Sequence, residues 1–100
     1  MIDKRDIIEG IKSGENITED DYMEYCLDND FELAYAVAES IHTPSDILKV
    51  SALYQNKAIQ IAVCKNKNVS YETLKKLSES KDIDVYRMAQ QYLQIRGKME

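Results

Sequence analysis

The sequence predicts an all-α fold, a short right-handed solenoid of about seven antiparallel helices, and two observations support this prediction. Apolar residues recur every three or four positions along the 100-residue chain, which is the period of one face of an α-helix. Glycine and proline are scarce, with three and one respectively, which disfavours a turn-rich β-fold. The 44% hydrophobic fraction indicates a packed core, and the length is typical of one domain.

The apolar stripes and the helix-start signals place the helices along the chain. The predicted spans are residues 3–13, 19–28, 31–40, 44–54, 57–66, 71–80 and 83–95. Residues suited to cap helix N-termini precede five of them: Thr18, Asp30, Thr43, Ser70 and either Asp82 or Asp84. Pro44 then falls in a first turn, where its fixed φ is tolerated. Gly97 suits a C-terminal cap, so we expect one domain over residues 1–96 and a tail at 97–100.

A shift of 26 residues overlays the apolar stripes on one another. The aligned columns are Ile7, Leu33, Ile59 and Val85; Gly10, Ala36, Ala62 and Met88; Ile11, Val37, Val63 and Ala89; and Tyr22, Leu48 and Leu74. The small residues of the second column would let successive long helices approach closely. A single helix pair cannot bury its apolar face alone, so the period predicts pairs that cover one another in a stack.

The repeated segments resemble a known family. Residues 33–48 and 59–74 resemble leucine-rich-repeat-variant units, relatives of HEAT and armadillo repeats, and the resemblance covers about residues 31–95. It implies a stacked helical fold and binding surfaces rather than a shared reaction. Some members of the family hold a cysteine-bound iron–sulfur cluster, but this chain lacks the necessary group of cysteines, so the resemblance implies no cofactor.

Charge is distributed unevenly along the chain. The net charge is −5, but residues 1–50 hold 13 acids and 4 bases while residues 51–100 hold 5 acids and 9 bases. This acidity disfavours nonspecific nucleic-acid binding by the whole surface. Four acids form the predicted acidic surface, which is either a solvated face or a patch for a basic partner: Glu19, Asp20, Asp21 and Glu24.

Tyrosine is unusually frequent, with seven Tyr against one Phe and no Trp. Tyr35 and Tyr86 fall off the apolar stripes, and Tyr35 aligns with Ile61 and Arg87 in the repeat. Tyrosine is enriched at protein interfaces because it is large, rigid and amphipathic. A ridge of Tyr35, Ile61, Tyr86 and Arg87 is therefore a predicted partner-binding surface, with packing under neighbouring loops as the alternative.

Residues that could carry chemistry are few and lack partners. His42 is the single histidine and falls in a predicted loop, where it cannot form a metal site alone. Cys26 and Cys64 fall near apolar stripes, as buried structural cysteines do. No phosphate-binding glycine loop is present. We therefore expect no enzyme activity, no cofactor and no metal.

These observations favour a non-enzymatic protein–protein interaction module, such as an adaptor, an inhibitor or an immunity-type partner. Exposed ends of a short stack would also allow a homodimer. The alternatives are a nucleic-acid-associated role for the basic second half and an acidic inhibitor that mimics DNA. No run approaches the about 20 apolar residues of a membrane span. The charged N-terminus and the two cysteines indicate a cytoplasmic protein.

Overall fold

Seven α-helices form the fold of the described residues. A computed structural model describes residues 3–99, with side chains described for residues 3–97, and this part of the chain contains no β-strand. The helices are α1 (Lys4–Ser13), α2 (Glu19–Cys26), α3 (Phe31–Glu39), α4 (Ser45–Ser51), α5 (Lys57–Lys65), α6 (Tyr71–Leu77) and α7 (Ile83–Met99). The all-α prediction is confirmed. The helices α2, α4 and α6 end two or three residues earlier than predicted, because their last predicted residues form turns.

Side-chain caps fix most of the helix starts. Thr18 and Asp21 form a reciprocal capping box, in which the Asp21 amide donates to the Thr18 hydroxyl and the Thr18 amide donates to the Asp21 carboxylate. The remaining capping side chains accept backbone N–H groups of the first turn: Asp3, Asp30, Asn56, Ser70 and Asp82. Each cap satisfies an amide that has no partner within its helix. Of the two predicted candidates for α7, Asp82 is the cap.

The predicted cap of α4 was wrong. Pro44 stands at the N-cap position and makes no side-chain cap, while the helix begins at Ser45. The hydroxyl of Thr43 instead donates a hydrogen bond of 2.6 Å to the carbonyl of Val37 in α3. Thr43 is fully buried, so its hydroxyl satisfies a carbonyl inside the protein rather than an amide at a surface.

The predicted end of α7 also differs from the structure. The helix continues past residue 95 to Met99, so Gly97 lies inside α7 and does not cap its C-terminus. Glu100, the last residue of the predicted tail, lies outside the described residues. A single glycine inside a helix costs about 1 kcal/mol relative to alanine. The strong helix formers around Gly97 outweigh that cost.

The odd-numbered helices lie side by side in chain order. Helix α3 packs against α1 on one flank and against α5 on the other, and α7 packs against α5. The even-numbered helices lie beside them, with α2 against α3 and α4, and α6 against α7. The molecule is a slab with extents of 44 × 27 × 17 Å. The order of helices along the slab therefore follows the order of the chain, with α1 and α7 at opposite ends.

Two clusters of buried side chains form the core, and α3 contributes to both. The first cluster consists of Ile11, Tyr22, Cys26, Ala36, Val37 and Ile47. The second consists of Ala34, Ala38, Leu48, Ile59, Ala62, Val63, Cys64, Val69, Leu74, Leu77, Val85 and Ala89. Ala36 and Val37 thus face the α1 side of α3, and Ala34 and Ala38 face the α5 side. The predicted burial of Cys26 and Cys64 is confirmed.

Hydrogen bonds from side chains join the ends of successive long helices. The Ser40 hydroxyl at the end of α3 donates to the carbonyl of Ile11 in α1, at 2.7 Å. The Asn66 side-chain amide at the end of α5 donates to the carbonyls of Ala38 and Ser40, at 2.9 and 2.8 Å. Ser40 and Asn66 are the C-cap residues of their helices and are both buried. These bonds satisfy carbonyls that a helix end leaves unpaired.

Candidate functional site

The predicted ridge is only partly exposed. Tyr35 and Ile61 are half-buried and pack against the second core cluster, and the ring of Tyr35 stacks on that of Phe31 with centroids 5.5 Å apart. Tyr86 and Arg87 on α7 are exposed. Tyr35, Ile61 and Arg87 occupy equivalent positions on three neighbouring helices, whereas Tyr86 lies one position earlier. The ridge as a partner-binding surface stays a prediction.

The predicted acidic surface lies on α2. Glu19, Asp20 and Glu24 are exposed, while Asp21 is half-buried and belongs to the capping box of the helix. Three acids in the first turn also interact favourably with the helix dipole, which gives them a structural role. Their role in binding a basic partner stays a prediction.

A cleft lies between α1 and α2, beside this acidic surface. Its volume is about 450 Å³, and its walls carry Ile7, Gly10, Ile17 and Tyr25 together with the carboxylates of Asp6, Glu9, Glu15 and Asp21. No lysine or arginine lines it. Burial raises the pKa of Tyr25, and the nearby carboxylates of Glu24, Asp21 and Asp28 raise it further. The acidity was evident from the sequence, but the cleft was not.

A larger groove runs along the other layer of the slab, between α4 and α6. The helices α2 and α4 pack together, but α4 and α6 make little direct contact, and the gap between them has a volume of about 1060 Å³. Val50, Ala52 and Leu77 line its base, while Leu53 stands 65% exposed at its edge.

Charged side chains of both signs surround the groove. The lysines are Lys49, Lys57, Lys76 and Lys81, and the acids are Asp46, Glu72, Glu79 and Asp82. Among these, the ammonium of Lys57 lies 3.8 Å from a carboxylate oxygen of Asp82 and 2.6 Å from one of Asp84. The Lys57 ammonium accordingly lowers the pKa of Asp84, mainly through their hydrogen bond. The groove thus combines an apolar base with a polar rim, as protein interfaces do.

The candidate reactive residues are placed away from both the cleft and the groove. Burial raises the pKa of the Cys64 thiol to about 11 and also raises that of Cys26, so both thiols are neutral near pH 7. His42 is exposed in the loop after α3. The described residues contain no group of three or more His, Cys, Asp or Glu positioned to hold a metal ion.

Comparison with known protein-family models, curated proteins and solved structures finds no match to this chain. Within residues 3–99, no helix combines the length and apolarity that crossing a bilayer requires.

Proposed function

We propose that this chain is a non-enzymatic protein–protein interaction module. In this proposal it is a short right-handed HEAT-like solenoid that acts in the cytoplasm on another protein. The groove between α4 and α6 carries the proposal, because it is a wide gap in an otherwise packed layer. An apolar base flanked by charges is the surface that an amphipathic segment of a partner fits.

Similar ion pairs at the first and last contacts between neighbouring long helices support the repeat, while the α3–α5 contact has Asn56 and Ala58 at the corresponding acceptor positions. Lys4 of α1 bridges to Asp30 and Glu32 at the start of α3, and Lys57 of α5 bridges to Asp82 and Asp84 at the start of α7. Both acceptor pairs occupy the same positions in the 26-residue period. Solenoid proteins commonly use such stacks as extended binding surfaces.

The groove can be tested by capturing partners with the tagged chain from its own cell lysate, after nuclease treatment. Leu53→Glu places a charge in the groove and leaves the core untouched, because Leu53 is exposed. Ile41→Glu is a matched control, since Ile41 is 57% exposed and lies outside the groove. We expect a partner that is retained by Ile41→Glu and lost by Leu53→Glu.

The predicted ridge provides the competing location. A Tyr86→Ala/Arg87→Ala variant removes its two exposed members without disturbing the core. Loss of the partner in this variant, with retention in Leu53→Glu, would move the binding surface from the groove to the ridge. Absence of any captured protein from all four samples would contradict the module itself.

A nucleic-acid-associated role is the second candidate, and the lysines of the groove favour it. Lys49, Lys76 and Lys81 are exposed there, and the second half of the chain is basic. Phosphate contacts would make the affinity fall linearly with salt on a double-logarithmic plot. Titration of labelled DNA and RNA at several salt concentrations tests this role, and absence of binding at low salt rules it out.

A further inference from the structure

The cleft between α1 and α2 lies at one end of the slab, beside the first helix pair of residues 3–99. Gly10, on the cleft wall, aligns with Ala36 in the 26-residue period, and Asp21, also on the wall, aligns with Ile47. Ala36 and Ile47 are both covered, since they belong to the core cluster that includes Ile11 of α1. The cleft therefore exposes positions that, one repeat later, are covered by a neighbouring helix.

Charges at these positions indicate what kind of helix would cover them. Asp6 of α1, Glu32 of α3 and Asp84 of α7 occupy equivalent positions in the period. The carboxylate of Glu32 lies 3.1 Å from the Lys4 ammonium of the preceding long helix, and that of Asp84 lies 2.6 Å from the Lys57 ammonium. Asp6 is exposed on the cleft, and the described part of the chain has no lysine-bearing helix before α1 to pair with it.

We propose that this end cleft binds a basic amphipathic helix of a partner protein. Apolar residues of that helix would cover Ile7, Gly10 and Tyr25, as α1 covers α3. Its lysine or arginine side chains would pair with the four carboxylates of the cleft, which no basic residue of the cleft lining neutralises: Asp6, Glu9, Glu15 and Asp21. The partner's charge is thus fixed by complementarity, and the pairing at Asp6 has counterparts in this protein, the ion pairs of Glu32 with Lys4 and of Asp84 with Lys57.

This inference rests on the proposed function as a protein-binding module, but it names a different surface and the chemistry of the ligand. The other occupant that the geometry offers is the outer flank of α7 in a second copy. A second copy carries the same net charge of −5, so electrostatic repulsion opposes its approach to the acidic cleft. A basic partner helix matches the cleft better.

The test is an NMR titration of the full-length, isotope-labelled chain with a synthetic amphipathic helix that carries lysines along both edges of its apolar face. A second peptide has glutamate in place of every lysine. We expect only the basic peptide to bind. The changes in NMR chemical shift should be largest at the backbone amides of Gly10, Ile17 and Tyr25. The dissociation constant of this peptide should rise steeply with salt.

Two matched variants separate the cleft from overall charge. Asp6→Asn/Glu9→Gln/Glu15→Gln removes three of the four carboxylates of the cleft and spares Asp21, which belongs to the capping box of α2. Glu39→Gln/Asp46→Asn/Glu79→Gln removes the same charge from exposed positions of α3 and of the α4–α6 groove, so it also reports any binding of the peptide in that groove. We expect the first variant to weaken binding about tenfold and the second to weaken it much less. Thermal melting of both variants checks that the fold is intact.

Three results would overturn the inference: equal binding of the two peptides, shift changes centred on the α4–α6 groove, or no binding of the basic peptide. Chemical shifts at the cleft that change with protein concentration in the absence of peptide would also overturn it. They would show that a second copy of the chain occupies the cleft. None of these results removes the module itself, which would be contradicted only if the capture experiment recovered no protein partner.

Discussion

The side-chain amide of Asn66 donates a hydrogen bond of 2.8 Å to the backbone carbonyl of Ser40, and both residues end their helices at the same position of the 26-residue period. The same amide donates to the carbonyl of Ala38, and the side-chain oxygen of Asn66 accepts from the amide of Asn68. One buried side chain therefore joins α5 to α3 and also orders the loop after α5.

Asn66→Ala should lower the free energy of unfolding by about 1–3 kcal/mol, because it leaves the buried Ala38 carbonyl without a donor, whereas the Ser40 carbonyl keeps a bond of 3.3 Å from the Thr43 amide. Urea denaturation followed by circular dichroism measures this change. Asn29→Ala is the control, since Asn29 is exposed in the loop before α3. It should change stability by less than about 0.5 kcal/mol. Similar losses in the two variants would show that the bonds from Asn66 contribute little.

Gly14→Ala should also destabilise the protein, for two separable reasons. Gly14 ends α1 with φ of 75°, where an added Cβ costs about 1–2 kcal/mol. That Cβ would also lie 2.7 Å from Cγ of the His42 ring, so the ring or the loop must move.

The two costs can be separated with a double-mutant cycle measured by urea denaturation. His42→Ala alone should have a small effect, because His42 is exposed. In the His42→Ala background, Gly14→Ala should cost less than in the parent, since the ring contacts are gone and only the conformational strain and the 3.1 Å contact with Cβ of residue 42 remain. Equal costs in the two backgrounds would mean that the ring moves away freely.

Ser51→Ala should raise the free energy of unfolding by about 1 kcal/mol, because the Ser51 hydroxyl is buried without a hydrogen-bond partner. Thr43→Val is the matched contrast, since it removes a buried hydroxyl that does donate to a carbonyl. It should lower the free energy by about 1–2 kcal/mol. If Ser51→Ala is as costly as Thr43→Val, the Ser51 hydroxyl does have a stabilising partner. The neighbouring Cys26 thiol is the candidate, because burial raises the pKa of that thiol and an interaction with Ser51 lowers it by a smaller amount.

Stability should fall as the pH rises through the range in which Cys64 would ionise. The thiol has an ordinary pKa of 9.0 in the unfolded chain and about 11 in the folded protein, because burial disfavours the thiolate. The folded state thus holds its proton more tightly, so this contribution is complete below pH 9 and is lost towards pH 11. For one proton the slope is at most about 1.4 kcal/mol per pH unit.

Denaturation of the parent and of Cys64→Ala between pH 8 and pH 11 tests this assignment, with the pH range set by the raised pKa. Burial also raises the pKa of Cys26, Tyr22 and Tyr25, so the parent's slope has several sources. The slope should become shallower in Cys64→Ala. An unchanged slope would show that Cys64 is not the source of the pH dependence.

Local features of the fold could be predicted from the sequence, and features set by distance between helices could not. Thr18, Asp30 and Ser70 were predicted as caps because a cap involves only the next three residues. The Thr43 prediction failed because a carbonyl of another helix competes for its hydroxyl. For the candidate sites, periodicity showed which faces are apolar but gave no distance between α4 and α6, so the groove was missed. The end cleft was missed for the same reason.

The linear arrangement of the helices has a kinetic consequence. Each long helix packs mainly against the long helices that precede and follow it in the chain, so the loops closed during folding are short. Short loops carry a small entropic cost, and proteins with low relative contact order fold in microseconds to milliseconds. We expect this chain to fold on that timescale and to open first at its two ends, where the α1–α2 cleft lies at one end and the outer flank of α7 at the other.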